Sequence, residues 1–141
     1  MGISHQVKVF VFRVLGSQVD FLLVRKWPIV EHSFGPVRGT IKIEECPKEA
    51  VLREVREETG LIQPAHLIDL NHVSSLVFGD EALCEWEFGY QVSSLSLAKE
   101  IEPRGEVVDS LWAGFDRAFD CLEMPEDRSA LVRLKMTLEA G

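Results

Sequence analysis

The stretch from Gly39 to Leu61, GTIKIEECPKEAVLREVREETGL, limits what this chain can fold into more than any other segment. Pro47 suits the first position of a helix, where its missing N–H costs nothing, and Gly60 ends that helix as a left-handed cap would. Cys46 falls at the N-cap, where a thiol is a weak acceptor, and Glu49 stands where a capping-box acid would. At about 100° per residue, Glu54, Glu57 and Glu58 lie within one arc, with Glu54 and Glu58 beside the apolar arc of Val51, Leu52 and Val55. Glu49 and Arg53 form an i,i+4 pair that would suit a solvated face. Acids at a core edge are another matter: like charges at this spacing repel, and a buried carboxylate is costly unless paired or metal-bound. Hard cations that prefer oxygen, Mg²⁺ first and Mn²⁺ next, are the natural partners.

The spacing is specific. Gly39, five residues, Glu45, seven residues, Arg53-Glu54-Val55, one residue, Glu57-Glu58, one residue and Gly60-Leu61 match the Nudix box at every defined position. The chain therefore resembles the Nudix (MutT-like) hydrolases. The resemblance implies an α/β fold, an α/β/α sandwich around a mixed β-sheet. It also implies a loop–helix–loop that binds divalent metal, and hydrolysis of a nucleoside diphosphate linked to another moiety. Carried over residue by residue, Glu54, Glu58 and the Gly39 carbonyl would hold Mg²⁺, with Mn²⁺ as a possible substitute, and Glu57 would hold or share a second ion. Arg53 would orient the glutamates by forked hydrogen bonds, while Glu45 and Gly60 would be structural.

Two further positions carry partial likenesses. Arg38 stands where many relatives have a second glycine. It resembles the Lys-Gly of diadenosine polyphosphate hydrolases, and either reaches a substrate phosphate or faces solvent. Glu106, six positions before Trp112, resembles the acid upstream of a Trp-containing strand in dihydroneopterin triphosphate pyrophosphatases and diadenosine tetraphosphate hydrolases. Its implied role is a further metal ligand or the general base, a task open between Glu54 and Glu106; the other reading is a plain loop carboxylate.

Around this segment, Val7–Leu15 and Val19–Arg25 read as a hairpin broken at Gly16-Ser17. Lys26–Val37 reads as a loop whose Trp27 and Phe34 either stack on a base or pack as a lid, with Arg25 a substrate-binding candidate at its start. His66–Phe78 and Ala82–Val92 read as strands joined at Gly79-Asp80; the acids Glu85 and Glu87 share one face of the second, expected to be solvent or cleft rim. Ser93–Gly105 reads as a loop and Val107–Ala113 as a last strand. Phe115–Glu123 and Pro125–Leu138 read as helices, the second with a core stripe of Leu131, Leu134 and Leu138.

At 141 residues and 46% hydrophobic content, one domain is expected. With no sustained apolar run, no membrane segment is expected, and the reading is cytoplasmic. Three cysteines without metal-ligand spacing point to free thiols. A net charge of −8 argues against a nucleic-acid polymer as partner, but not against a small nucleotide carried in with metal. Oligomeric state stays open. Three readings of function follow: a hydrolase of a nucleoside triphosphate or related triphosphate, a dinucleoside polyphosphate hydrolase, and a regulatory nucleotide-binding module without turnover. The intact Arg53, Glu54, Glu57 and Glu58 set argues against the last.

Overall fold

The computed structural model describes residues 2–27, 34–96, 101–102 and 104–141. Strand β1 (Gly2–Leu15) is apolar on both faces of its buried half. Val7, Val9 and Val11 point one way, and Phe10 and Phe12 the other. A strand of this kind has to be covered on both sides. Strand β2 (Gln18–Lys26) continues both faces, with Leu22 and Val24 beside the valines and Phe21 and Leu23 beside the phenylalanines. Helix α1 (Pro47–Thr59) covers the valine face through Ala50, Val51 and Val55. Helices α2 (Phe115–Cys121) and α3 (Pro125–Ala140) cover the phenylalanine face through Ala118, Ala130, Leu131 and Leu134. This is the expected α/β/α sandwich.

The remaining strands are β3 (Val37–Thr40), β4 (Pro64–Phe78), β5 (Glu81–Val92) and β6 (Val107–Ala113). The sheet runs β4-β5-β1-β2-β6, and β3 also pairs with β1. It is mixed because β1 lies parallel to β5 while the other pairings are antiparallel. Along β1, residues Gln6 to Val9 pair with β3 and residues Val11 to Leu15 with β2. The end of β2 that carries Lys26 is thereby left to meet β3 and α1.

Three differences from the sequence reading have physical causes. Strand β1 begins at Gly2 rather than Val7, because Gly2 to Gln6 pair with Glu81 to Glu85, a non-local gain that the polar stretch ISHQ does not signal. Strand β3, expected as loop, is four residues long, preceded by Pro36 and containing Gly39. In α1, Leu52 is exposed and Ala50 takes its place in the buried face, which is centred on Val51, Val55 and Glu58. The interior of the Lys26–Val37 loop, residues 28–33, and residues 97–100 and 103 of the Ser93–Gly105 loop lie outside the described residues. No helix among the described residues is long and apolar enough to cross a membrane.

The acidic face of β5 is neither solvent nor open rim: α3 lies over it. Glu87, 1% exposed, takes a forked pair from Arg133 at 2.8 Å on both oxygens. Glu85 belongs to a buried quartet of two cations and two anions. Lys8, fully buried, has its Nζ 2.9 Å from Asp127 Oδ1 and 3.3 Å from Glu85 Oε1. Arg38 donates to Asp127 through both terminal nitrogens, at 2.5 and 3.2 Å, and to Glu85 Oε2 at 3.1 Å. Burial opposes the charge of both carboxylates, but the two cations outweigh it and hold Glu85 and Asp127 below the usual carboxylate range. Breaking such a set leaves a buried charge uncompensated. Lys8→Met is therefore expected to lower the unfolding free energy by about 3–5 kcal/mol in urea denaturation; a loss under about 1 kcal/mol would show that the quartet does not bind β1, β3, β5 and α3 together.

Candidate active site

Strand β3 sets the geometry. Ile41 N–H donates to the His5 carbonyl at 2.9 Å, and the pairing continues through Gly39 opposite Val7. Backbone groups alternate along an antiparallel strand, so those of Gly39 face β1 while those of Arg38 and Thr40 face outward. The Arg38 carbonyl accepts from Lys26 Nζ at 2.6 Å, and the Thr40 carbonyl accepts from Arg53 at 2.8 Å. The expectation that the Gly39 carbonyl faces the acids is thus corrected by one residue: the carbonyl turned toward them is that of Arg38. What Gly39 supplies is its missing side chain. A Cβ at that position would stand 2.0 Å from Cδ of Glu54, so only glycine lets this carboxylate rest on β3.

Helix α1 delivers the acids. Its start has the Cys46 N–H donating to Glu49 at 3.1 Å, and its end has Gly60 at φ +81°. Arg53 joins the helix to the preceding loop. Its guanidinium forks onto Glu45 at 2.8 and 2.9 Å, donates to the Thr40 carbonyl, and reaches Glu54 at 2.6 Å and Glu57 at 3.4 Å. Glu45 also accepts from the Lys42 N–H at 3.0 Å, closing the turn in which Glu44 adopts φ +66°. The Arg53 hydrogen bond, followed by that from Lys42, lowers the Glu45 carboxyl to about 2. The same pairing with Glu45, helped by Glu54, raises the Arg53 guanidinium further above its ordinary value.

The three helix acids are not equivalent. Glu57 has a half-exposed side chain turned to Arg53. Glu54 lies over Gly39. Glu58 is 6% exposed; one carboxylate oxygen meets the Lys26 ammonium, and the other is buried without a hydrogen-bond partner among the described residues. Burial raises the Glu58 carboxyl to about 7; Lys26 pulls against this, and the charges of Glu54 and Glu106 push with it. Glu106 itself is exposed, and its carbonyl accepts from the Trp27 N–H at 2.7 Å, tying the β6 approach to the end of β2.

These donors suit a hard cation. A buried unpaired carboxylate oxygen, a backbone carbonyl and further carboxylates are the ligand types that Mg²⁺ and Mn²⁺ take. Among the described residues no three acidic, His or Cys groups already stand in ligand geometry, and the Lys26 ammonium bridges the Arg38 carbonyl and Glu58.

Toward α3, a cavity of about 190 Å³ is lined by Arg25, Lys26, Phe34, Arg38, Met124 and Asp127 among others. The Arg25 guanidinium lies 5.1 Å from the Phe34 ring centroid and donates to Asp109 at 3.2 Å. The side chain of Arg38 departs from both readings given above. It points to the face opposite Glu54 and is held by Glu85 and Asp127, neither reaching the acid cluster nor facing bulk solvent. Trp27 is 65% exposed and does not line this cavity; Phe34 does. The sequence reading passed over Lys26 and Asp127. Lys26 carried a usable signal, a cation at the end of a strand facing an acidic helix, whereas nothing in the sequence marks Asp127 out from other first-turn acids.

The profile of the NUDIX domain matches residues 4–134. The chain belongs to the Nudix family and is a hydrolase of pyrophosphate bonds in nucleoside diphosphate-linked compounds. No curated protein sequence shows significant similarity to it. Solved structures similar to it include a chain assigned as a Nudix hydrolase from Listeria monocytogenes (TM-score 0.81, 21% identity, 96% of this chain and 94% of that one). An Ap4A hydrolase from C. elegans, in a binary complex, follows (TM-score 0.74, 18% identity, 98% and 99%). The dihydroneopterin triphosphate pyrophosphohydrolase of E. coli is similar too (TM-score 0.75, 18% identity, 93% and 95%). At these identities the likeness is one of fold.

Two outcomes follow from the geometry. Because Glu45 titrates lower in the folded chain than its ordinary 4.5, its stabilisation is complete above that value and is lost as pH falls toward 2. Glu45→Gln is expected to melt below wild type at neutral pH and to converge with it in acid; parallel melting curves down to about pH 2 would contradict the assignment. Gly39→Ala is expected to displace the Glu54 carboxylate and cut turnover by about 100-fold with an unchanged circular dichroism spectrum. Activity within about threefold of wild type would mean that Glu54 has room elsewhere.

Proposed function

We propose that this chain is a Mg²⁺-dependent pyrophosphohydrolase of a nucleoside triphosphate or related triphosphate, the dihydroneopterin triphosphate type included, with Mn²⁺ able to substitute. The observation that carries the reading is Glu58: a buried carboxylate beside Glu54, Glu106 and the Arg38 carbonyl, with one oxygen lacking a hydrogen-bond partner among the described residues. In this reading Glu54, Glu58 and the Arg38 carbonyl hold the main ion, and Glu57 shares a second. A bound divalent ion neutralises phosphate charge and makes water more acidic.

The chain's own groups do the rest. Glu54 already accepts from Arg53, so the exposed Glu106 is the better proton acceptor for the attacking water. Arg53 is a positioning residue, holding Glu54 in register with Glu45 and the Thr40 carbonyl. Phe34 and Arg25 line a cavity and offer an aromatic and a guanidinium surface to a ring, in keeping with a nucleoside or pterin. The dinucleoside polyphosphate reading leaned on Arg38, whose guanidinium is committed to Asp127 and Glu85. The site of action in this reading is the cytoplasm.

The test is turnover with Mg²⁺ against nucleoside triphosphates, dihydroneopterin triphosphate, dinucleoside polyphosphates and nucleotide sugars, with products identified by mass. Expected are hydrolysis of a triphosphate and a loss of roughly 1,000-fold or more in Glu58→Gln. Preference for a dinucleoside polyphosphate, or near-native activity in that variant, would refute the assignment. Nucleotide binding with no turnover of any substrate would identify a regulatory module instead.

A further inference from the structure

Lys26 is the last residue of β2 and follows a register shift in the β2–β6 pairing between Arg25 and Lys26. Irregularities of this kind re-aim side chains. Here the main chain just beyond is pinned by the Trp27 N–H on the Glu106 carbonyl at 2.7 Å, and the Lys26 side chain reaches from the end of β2 to β3 and α1. Its ammonium donates to the Arg38 carbonyl at 2.6 Å and contacts Glu58. These are two oxygens of different elements, β3 and α1, and both belong to the donor set assigned above to a divalent ion. The ammonium serves only one oxygen of Glu58; the other is buried without a hydrogen-bond partner among the described residues.

A small divalent ion on the Arg38 carbonyl and the free oxygen of Glu58 would stand within a few ångströms of the Lys26 ammonium, where like charges repel strongly in a partly buried place. We infer that Lys26 is a resident counter-ion: in the metal-free protein its ammonium holds the Arg38 carbonyl and Glu58 together, and loading of the divalent ion displaces it from both. The side chain is about one quarter exposed, and its four-carbon stem lets the charge leave toward solvent without moving β2. The lysine keeps the acids of α1 against β3 when no ion is present, and it sets a threshold that the ion must exceed. The inference rests on reading this cluster as the divalent-ion site.

The experiment is Mn²⁺ binding without substrate, by calorimetry and by the paramagnetic resonance of the free ion, in wild type, Lys26→Met, Arg25→Met and Glu58→Gln. Lys26→Met is expected to bind Mn²⁺ at least about fivefold tighter than wild type, the low end of the coupling between ligands that exclude one another. Arg25→Met removes a neighbouring charge outside the cluster and is expected to change affinity by less than about twofold. The melting temperature of Lys26→Met should lie below wild type in chelator and meet it at saturating Mn²⁺. Equal or weaker Mn²⁺ binding by Lys26→Met, or an equal gain in Arg25→Met, overturns the counter-ion role alone. Wild-type binding that Glu58→Gln does not weaken overturns the site reading and this inference with it. Should Lys26→Met fail to fold, wild-type protein labelled with ¹³C-lysine answers the same question. The Lys26 ε-carbon signal, identified by its absence in Lys26→Arg, must move on Mg²⁺ saturation, and an unmoved signal overturns the displacement.

Discussion

The buried quartet of Lys8, Arg38, Glu85 and Asp127 is the constraint on which the rest of the candidate site depends. Two positive and two negative side chains inside a fold are tolerable only if they stay together, because separating any one leaves an unsolvated charge. Staying together fixes β3, a strand of only four residues, against β1, β5 and α3 at once. With β3 fixed, the alternation of the pleat does the remaining work. The Arg38 side chain goes to the α3 face, the bare Cα of Gly39 meets Glu54 on the α1 face, and the Arg38 and Thr40 carbonyls project outward to Lys26 and Arg53. A departure from a second glycine at position 38 is therefore a structural anchor, and the backbone of the same residue serves the site.

How much of this the sequence shows depends on whether the cause is local. The extent of α1, its Glu49 cap and the left-handed Gly60 are decided by residues within one turn of each other, and they were legible. The hairpin at Gly79-Asp80 and the strand Val107–Ala113 were legible for the same reason. Strand β3 was not, because a segment of Val-Arg-Gly-Thr has no pattern of its own and is a strand only through pairing with Gln6 to Val9. The misreading of Glu85 and Glu87 has the same root. Alternation said that they share a face, but only the packing of α3, which brings Arg133 onto Glu87, and the cations Lys8 and Arg38 beside Glu85 say that the face is buried and neutralised. The signal lies in Lys8: a lone cation in the apolar run VKVFVF requires buried acids somewhere on the same face.

The two faces of the sheet handle charge in opposite ways. On the α3 face every buried carboxylate has a fixed cationic partner in the fold, and burial loses to pairing for both Glu85 and Asp127. On the α1 face Glu58 meets one lysine, retains an oxygen without a hydrogen-bond partner among the described residues, and has burial winning over pairing. The first arrangement is balanced in charge, two cations against two anions, while the second is short of positive charge. A chain with a net charge of −8 that leaves a buried acid under-compensated at a place where a carbonyl and further acids converge gains nothing in stability from doing so. Such a deficit is explained by a cation that comes and goes, and it is this asymmetry across the sheet, more than the acids themselves, that separates a site from a salt bridge.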